Sequence, residues 1–342
     1  MNRFACLARR SALAITLTLS GFVLLGASPG AVEPQGGRRG SQVNPQPVDA
    51  GLPAYAKSGD VSGAIRCAGD ANVTRLLGVA GDAFRSKQAG VKPDVRGETQ
   101  AAGLAALADG KADLAGCSRR LTARERGEIA AKLGAEPLEI VVALDALEVV
   151  VNAKNPVKSL SVADLSAIFS AVPNGRSSAA TWADVKAEDE KFAARKMTVF
   201  GITADEGSGG IIATAVLAGS KFRSDLRGVA TSDSVVSGVI SEIGGVGYID
   251  PYFRTASLRA VPIAAAGGSA VSCSPATIAD GSYPLSRRLY VYVARAAKDP
   301  VPAHVSEFLS FLLSRDGQTA IAGSGGIPVT AALAEESRKS LK

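Results

Sequence analysis

The stretch VSGAIRCAGDANVTRLLGVAGDAFRSK, residues 61–87, combines a short apolar strand pattern with a helical pattern. Residues 61–69 predict a strand that ends at Gly69, where the chain turns. Four apolar side chains then recur at helical spacing and share one helix face: Leu76, Leu77, Ala80 and Phe84. The stretch therefore predicts the start of an alternating α/β fold.

The alternation of strands and helices continues beyond this stretch. VKPDVRG (91–97) and KADLAGCS (111–118) predict two more strands, and TQAAGLAALADG (99–110) predicts a helix between them. This spacing is typical of a parallel, doubly wound sheet, in which ligands lie beyond the carboxyl ends of the strands.

The run LEIVVALDALEVVVNAKNP, residues 138–156, is rich in β-branched residues and nearly continuous. It predicts either two buried strands or a strand that leaves one domain and enters another. Later helices are predicted for SVADLSAIF (161–169), TWADVKAEDEKFAARK (181–196), GSGGIIATAVLAG (207–219), SDSVVSGVISEIGG (232–245) and, as one amphipathic helix, HVSEFLSFLLSRDGQTAIAGSG (304–325). Later strands are predicted for MTVFGI (197–202), VGYID (246–250) and RRLYVYVAR (287–295).

The N-terminal segment has the pattern of an export signal. Residues 1–31 contain three arginines, an apolar run from about Ala12 to Ala27, and then small residues, which is the pattern of a cleaved secretory signal peptide. The apolar run is shorter than the roughly 20 residues of a membrane span, and no cysteine follows it as a lipid attachment point. Residues 32–59, rich in Pro, Gly and Gln, predict a disordered linker. The mature chain is expected to be periplasmic or otherwise exported, with enough residues after Asp60 for two domains.

Charge and composition exclude several classes of function. The formal net charge of +6 falls to +3 once Arg3, Arg9 and Arg10 are removed with the signal. There is no Lys/Arg run with interleaved aromatics, so nucleic acid is not an expected partner. The one histidine, His304, is expected at a helix start or on the surface. With no second histidine and no convincing partner residue, Ser-His or Cys-His nucleophilic catalysis is not expected. No C-x-x-C spacing supports a zinc site, and we predict neither a metal nor a cofactor.

The stretch TADEGSGGIIATAVLAG, residues 203–219, predicts an anion-binding helix start. Ser208, Gly209 and Gly210 would present free backbone N–H groups at the beginning of the helix, and the glycines permit close approach of a ligand. Asp205 and Glu206 oppose a dianion there unless they turn away or pair with a cation. The alternative is that this glycine-rich segment is a flexible turn.

An ordered set of segments resembles the phosphate-binding protein family of ABC importers, a branch of the type II periplasmic binding fold. The matching segments run from about residue 64 to residue 329: CAGDANVTRLL, GLAALADGKADLAGCSRRLT, NPVKSLSVADLSAIFS, GSGG after a strand, GGVGYIDPYF, YPLSRRLYVYV and FLSFLLSRDGQTAIAGSGGIPV. The resemblance implies two α/β lobes, each a doubly wound sheet, joined by a two-strand hinge around a ligand cleft. Lobe one would comprise residues 60–145 plus 255–342, and lobe two residues 146–254.

The resemblance also implies a set of ligand-binding positions. The first segment corresponds to Asn72 and Val73, beside Ala71, and the second to Gln100, where the family usually has Ser. The third corresponds to Ser118 and Arg119, and the fourth to Ser208, Gly209 and Gly210. The Arg that the family places ahead of the fourth segment is replaced by Ala204. We therefore expect Arg119 to supply the cleft cation, with a surface or salt-bridging role as the alternative.

These observations predict an exported solute-binding protein rather than an enzyme. The expected ligand is phosphate or a phosphate-like oxyanion, and the partner implied by the resemblance is a membrane ABC permease; we expect the protein to act as a monomer. The alternative is a degenerate module of the same fold that serves as an extracellular interaction or sensor protein, which the substituted ligand positions favour.

Three cysteines follow the predicted signal peptide: Cys67, Cys117 and Cys273. An oxidising compartment permits one disulfide and leaves one thiol. Cys67 and Cys117 fall near the ends of strands that are neighbours in the implied fold. They form either a bridge, if the disulfide geometry is met, or two buried free thiols.

Overall fold

The computed structural model describes residues 46–173, 177–185, 189–203, 208–295 and 300–341. All of them belong to one compact unit, residues 41–342. The predicted signal peptide and residues 32–45 of the predicted linker lie outside the described residues. Within the described ranges, no helix is both long and apolar enough to cross a bilayer.

The first sheet contains the strands that the opening stretch predicts. Its strands are β1 (Ser62–Asp70), β2 (Gly90–Glu98), β3 (Leu114–Cys117), β4 (Leu138–Ala146) and β13 (Ser286–Val293). Their order in the sheet is β2-β1-β3-β13-β4. Strands β1, β2 and β3 are parallel, as predicted, whereas β13 runs antiparallel to both β3 and β4. The sheet is therefore mixed rather than wholly parallel.

Six helices accompany this sheet in the described residues. They are α1 (Ala71–Arg85), α2 (Gln100–Ala108), α3 (Ala123–Leu133), α9 (Ala303–Leu312), α10 (Arg315–Gly323) and α11 (Ala331–Lys339). The single long helix predicted for residues 304–325 is wrong, because the chain breaks into α9 and α10. Helix α9 ends at Leu312, and Ser314 caps α10, its hydroxyl accepting a hydrogen bond from the N–H of Gly317.

The second sheet contains the central part of the chain. The strands of this part are β5 (Glu148–Asn152), β6 (Leu160–Ser161), β7 (Thr198–Ile202), β8 (Arg227–Val229), β9 (Gly245–Ile249), β10 (Leu258–Ala260), β11 (Ile263–Ala264) and β12 (Ala270–Val271). The second sheet has the order β10-β5-β9-β7-β8, and a three-stranded sheet with the order β12-β11-β6 accompanies it. The helices are α4 (Val162–Phe169), α5 (Glu190–Ala193), α6 (Ser208–Ile212), α7 (Ser232–Ser241) and α8 (Pro275–Ala279), with a π-helical turn at Ala213–Leu217 and 3-10 turns at Trp182–Val185 and Pro251–Phe253.

The helix predicted for residues 181–196 is largely absent from the described residues. The structure has a 3-10 turn that begins at Trp182 and the short helix α5. The carboxylate of Asp184 accepts hydrogen bonds from the N–H groups of Ala180 and Thr181, and Thr181 also forms a β-bridge with Lys196. These local side-chain and bridge contacts compete with a continuous helix.

The chain passes from the first sheet to the second within the run 138–156. Strand β4 ends at Ala146 in the first sheet and β5 begins at Glu148 in the second, so the run forms two buried strands and the chain changes sheets between them. The N–H of Leu147 donates to the carbonyl of Leu285, which lies on the return crossing. The hydroxyl of Tyr283 donates to the carbonyl of Leu147 at 2.9 Å. The two crossings are therefore hydrogen-bonded side by side.

The second sheet extends beyond residue 254, the predicted limit of the second lobe. Strand β10 pairs with β5 in antiparallel register, with Ala260 opposite Val150. The return to the first sheet follows the small sheet that contains β11 and β12. The sheet pairing therefore keeps residues 258–260 with the central part of the chain.

Residues 46–59, the second half of the predicted linker, pack against the first sheet's helices. Leu52 is fully buried, and the ring of Tyr55 makes edge contacts with Phe84 and Phe311. The carboxylate of Asp49 accepts a hydrogen bond from the N–H of Ala331 at the start of α11. This part of the chain thus differs from the expectation of disorder, because two apolar side chains and a helix cap are enough to anchor it.

Replacing Tyr283 by Phe should destabilise the crossing. The change leaves the buried carbonyl of Leu147 without this donor, and we expect the free energy of unfolding to fall by about 1–2 kcal/mol in a denaturant titration. Tyr252→Phe is the matched control, because the Tyr252 hydroxyl has no hydrogen bond within the described residues. Equal effects of the two substitutions would show that the crossing bond contributes nothing.

Glu148 introduces a pH dependence at the same crossing. It is 1% exposed and its carboxylate has no hydrogen bond, with the Arg254 guanidinium 3.2 Å away. Burial raises the pKa of Glu148 from 4.5 to about 7, and Arg254 opposes the shift. Because the folded state holds this proton more tightly, the protein should lose stability as the pH rises from 4.5 to 7.

Glu148→Gln should remove that loss. Between pH 4.5 and pH 8 the stability of the variant relative to the unmodified protein should improve by about 2–3 kcal/mol. Denaturant titrations of both proteins across this range measure the change. A stability difference that stays constant with pH would contradict the assignment.

Candidate functional site

The arginine-lined cavity has a volume of about 500 Å³ and lies between groups of the two sheets. Its first-sheet side contains Gln100, Ser118 and four arginines, namely Arg119, Arg120, Arg287 and Arg288. The opposite side contains Gly210 and Thr214, which belong to the helical segment that follows β7 of the second sheet. Gln100, Ser118, Arg119 and Gly210 were all predicted site residues, so the structure brings these four together.

Gln100 is the first residue of helix α2. Thr99 caps the helix, its hydroxyl accepting from the N–H of Ala102, and this places the Gln100 side chain at the end of β2. The Gln100 Nε2 atom is buried and has no hydrogen-bond partner. A buried amide without a partner is costly unless a ligand or a water molecule fills the position. The cavity therefore contains a donor group available to an acceptor.

Glycines allow α2 to approach the sheet closely enough to reach this position. A Cβ atom at Gly103 would lie 2.4 Å from the Cα of Gly69. Gly69 itself has a φ of +130°, and a Cβ there would lie 2.3 Å from the carbonyl oxygen of Gly116. Only glycine fits such contacts, since both involve rigid backbone atoms. Helix α2, β1 and β3 are thereby held close together at the end that carries Gln100 and Ser118.

Ser118 and Arg119 follow strand β3. Ser118 is half-buried at the cavity, whereas Arg119 is exposed and gives its planar fork to Glu125, with N···O distances of 2.7 and 2.8 Å. The Arg119 guanidinium lowers the pKa of Glu125 to about 2, and the N–H of Thr122 adds to this effect. Of the two roles predicted for Arg119, the salt-bridging one is the geometry observed.

Arg120, Arg287 and Arg288 were missed by the sequence analysis. Arg120 pairs with Glu139 at 2.7 Å and lies over the ring of Tyr290. Arg287 donates from Nε and Nη2 to one oxygen of Asp145, at 3.0 and 2.8 Å. The sequence feature that could have indicated Arg287 and Arg288 is the Arg-Arg pair of RRLYVYVAR, because two charged residues there open an otherwise apolar strand.

Ala71, Asn72 and Val73 lie elsewhere. The carboxylate of Asp70 caps α1 by accepting from the N–H groups of Asn72 and Val73, so these donors are already used. Asn72 lines a separate cavity of about 300 Å³, which also contains Asp145 and residues 250–253. Ala71 is exposed and the Val73 side chain is fully buried. The structure thus does not bring this predicted segment into the arginine-lined cavity.

Ser208, Gly209 and Gly210 begin helix α6, as the glycine-rich pattern predicts. Gly209 and Gly210 are buried, and Gly210 reaches the arginine-lined cavity. The helix continues into the π-helical turn, where the hydroxyl of Thr214 donates to the carbonyl of Gly210. The predictions that concern Ala204, Asp205 and Glu206 lie outside the described residues.

The three cysteines and the histidine lie outside the arginine-lined cavity. Cys67 and Cys117 are buried free thiols on adjacent strands, and Cys273 is free and half-buried, so no disulfide forms between the predicted pair. His304 is the second residue of α9 and its Nε2 lies 3.0 Å from the carbonyl of Ala64. In the part of the chain that the structure describes, no group of three or more His, Cys, Asp and Glu side chains is placed to hold a metal ion.

Comparisons with known proteins agree with this architecture. Residues 54–316 match the model of the PBP superfamily domain. The phosphate-binding protein PstS of Pseudomonas aeruginosa is 32% identical over 301 residues, which cover 86% of this chain and 92% of that protein.

Two solved structures are also similar. A possible phosphate binding protein from Planctomyces limnophilus has a TM-score of 0.69 and 29% identity, and the match covers 82% of this chain and 98% of that one. An ABC-type phosphate transport receptor from Vibrio cholerae has a TM-score of 0.61 and 23% identity over 77% of this chain and 99% of that one, which supports the fold alone.

The glycine contact at α2 makes a testable prediction. Gly103→Ala should lower the free energy of unfolding by about 1–3 kcal/mol, because the new methyl group overlaps the backbone of Gly69. Gly78→Ala is the matched control: Gly78 lies inside α1 with no atom near the new Cβ, so alanine should stabilise the helix by about 0.5–1 kcal/mol. Denaturant titrations compare the two; a neutral Gly103→Ala would refute the close packing.

Proposed function

Because the chain belongs to the PBP superfamily, in its PstS-like phosphate-binding family, we propose that it captures phosphate or a phosphate-like oxyanion for an ABC importer. The ligand would bind in the arginine-lined cavity. The Pseudomonas relative is a phosphate-binding protein and the Planctomyces neighbour a possible phosphate binding protein, which supports this ligand class.

One observation carries the assignment of the site. The Gln100 amide is a buried donor without a partner, and it lines a cavity surrounded by four arginines. A phosphate oxygen accepts hydrogen bonds from an amide N–H and from a guanidinium, so an oxyanion satisfies groups that the protein itself leaves unsatisfied. We include Ser118 and Gly210 in the site because they line the same cavity. Arg119 also lines the cavity, with its guanidinium held by Glu125.

We propose that the two five-stranded sheets are the cores of two lobes. Lobe one would comprise residues 60–145 and the C-terminal part of the chain, and lobe two would begin at residue 146. The pairing of β10 with β5 supports a limit for lobe two after Ala260 rather than at residue 254. The hydrogen-bonded crossings at Leu147 and Leu285 would serve as the hinge.

Capture would proceed by closure of the lobes. Donors on the first-sheet side and the Gly210 side replace the hydration of the oxyanion, and contacts made only in the closed state favour that state. No covalent bond is made or broken in this mechanism. We further propose that the mature protein is exported by its signal peptide, acts as a monomer and delivers its ligand to a membrane permease.

Isothermal titration calorimetry of the mature chain with inorganic phosphate tests the proposal. We expect a dissociation constant in the micromolar range or below. A hundredfold excess of phosphate over that constant should then stabilise the fold by about 2.7 kcal/mol. Chloride at equal ionic strength is the control. Absence of binding to phosphate, sulfate and related oxyanions would overturn the proposal and favour an interaction or sensor module.

Gln100→Leu should weaken phosphate binding about tenfold or more. The change removes the donor and keeps a side chain of similar size, and a lost hydrogen bond to a charged group accounts for about 1.5–3 kcal/mol. Gln100→Glu should weaken binding further, since a carboxylate repels the anion. Thermal unfolding without ligand shows whether both variants remain folded. Unchanged affinity in both would place the ligand elsewhere.

A further inference from the structure

Three of the four cavity arginines are committed to carboxylates. Arg119 pairs with Glu125, Arg120 with Glu139 and Arg287 with Asp145, each at 2.7 or 2.8 Å. These ion pairs offset the charges of the three arginines within the protein. In each of the three, a carboxylate already occupies one edge of the guanidinium, so a ligand would meet a cation whose charge is compensated.

Arg288 differs from the other three. Its side chain is half-buried, yet it forms no ion pair and no hydrogen bond with another residue in the part of the chain described. The carboxylate of Glu139, which lines a neighbouring cavity together with Arg288, accepts a hydrogen bond from Tyr292 and pairs with both Arg120 and Arg126. A partly desolvated cation without a counter-ion is unfavourable, and a bound anion would remove that cost.

We propose that Arg288 is the cationic side chain that binds the oxyanion. It would take the role of the arginine that the family has at the position of Ala204. The proposal rests on the proposed function and specifies how the same site recognises its ligand. The planar guanidinium of an arginine such as Arg288 can donate two parallel N–H hydrogen bonds, one to each of two oxygens of a tetrahedral anion. Gln100 on the same cavity wall supplies a further, neutral donor.

The position of Arg288 on strand β13 suits this role. Strand β13 pairs with β4 along its whole length and with β3 from Tyr290 onward, so Arg288 is paired on one side, opposite Leu144. Its backbone is therefore held by β4, and sites on regular elements are positioned more accurately than sites on loops. Arg287, the preceding residue, is anchored to Asp145, which fixes the strand end beside the cavity.

Arg288 also lines a second cavity of about 550 Å³, together with Arg120 and Arg295. The two cavities meet at Arg120 and Arg288, which line both. Arg295 is exposed and lines only the second cavity. It therefore provides a matched arginine near Arg288 but outside the proposed ligand site.

Calorimetry with inorganic phosphate on four full-length mature proteins tests this inference: the unmodified chain, Arg288→Ala, Arg288→Lys and Arg295→Ala. Loss of a charged hydrogen-bonding partner should raise the dissociation constant of Arg288→Ala by about 10- to 100-fold. Arg288→Lys should fall between, since it keeps the charge and loses the fork. Arg295→Ala should stay within about threefold of the unmodified protein.

Arg119→Ala separates the two arginine assignments. We expect it to weaken phosphate binding less than Arg288→Ala, because its fork is held by Glu125. Thermal unfolding of the ligand-free proteins identifies any variant that fails to fold. If Arg288→Ala does not fold, the phosphate affinity of Arg288→Lys tests the inference. If the unmodified protein binds phosphate and both Arg288 variants bind equally well, the inference is overturned and the proposed function stands. If the unmodified protein binds no phosphate, the proposed function itself fails.

Discussion

The ion pair between Asp145 and Arg287 connects the parts of this molecule on which its proposed action depends. The two residues lie directly opposite each other in the antiparallel register of β4 and β13, at the ends where both strands meet the crossings. Burial raises the pKa of Asp145, and the Arg287 guanidinium opposes the shift. Loss of Arg287 would leave the buried Asp145 carboxylate without this counter-ion, which typically costs about 3–5 kcal/mol. The same carboxylate also accepts from Asn72, so the pair ties α1 to the crossing and to the cavity wall.

The protein satisfies its most obvious anion-binding position with its own side chain. Asp70 occupies the N–H groups at the start of α1, where a phosphate ion would otherwise accept hydrogen bonds. Carboxylates likewise occupy the forks of three arginines. Recognition of an external anion then depends on the donors left over, the Gln100 amide and Arg288. Most polar groups of the cavity wall already have hydrogen-bond or ion-pair partners within the protein. The selectivity of the site for its ligand then depends on where the few groups without a partner lie, rather than on the total charge of the cavity.

Local patterns in the sequence predicted most of the fold. The alternation from residue 61 to residue 118 and the double strand around Leu147 depend on hydrophobic periodicity, and both are confirmed. The failures have local causes: Ser314 acts as a cap inside an apolar helical pattern, and Asp184 draws the backbone at residues 180–181 away from a helix. Neither effect is visible in periodicity, because the hydrogen bonds of one polar side chain decide each.

The site was less predictable than the fold. Gln100 and Ser118 could be placed from the resemblance to the phosphate-binding protein family, and Gly210 also from the glycine-rich start of its helix. Arg287 and Arg288 could not, since their significance depends on Asp145 and on a cavity formed by segments distant in the chain. The roles of Arg119 and Asn72 changed for the same reason: Glu125 and Asp70, their neighbours in space, already use the relevant donors.

The unpaired cysteines have a practical consequence for measuring motion in this protein. Burial raises the pKa of the Cys273 thiol to about 12 and those of Cys67 and Cys117 still further, which suppresses the reactive thiolate at neutral pH. A cysteine introduced at an exposed rim position would therefore be the preferred target of a maleimide dye. Fluorescence from that label could follow the separation of the two sheets in a molecule that keeps all its native residues but one.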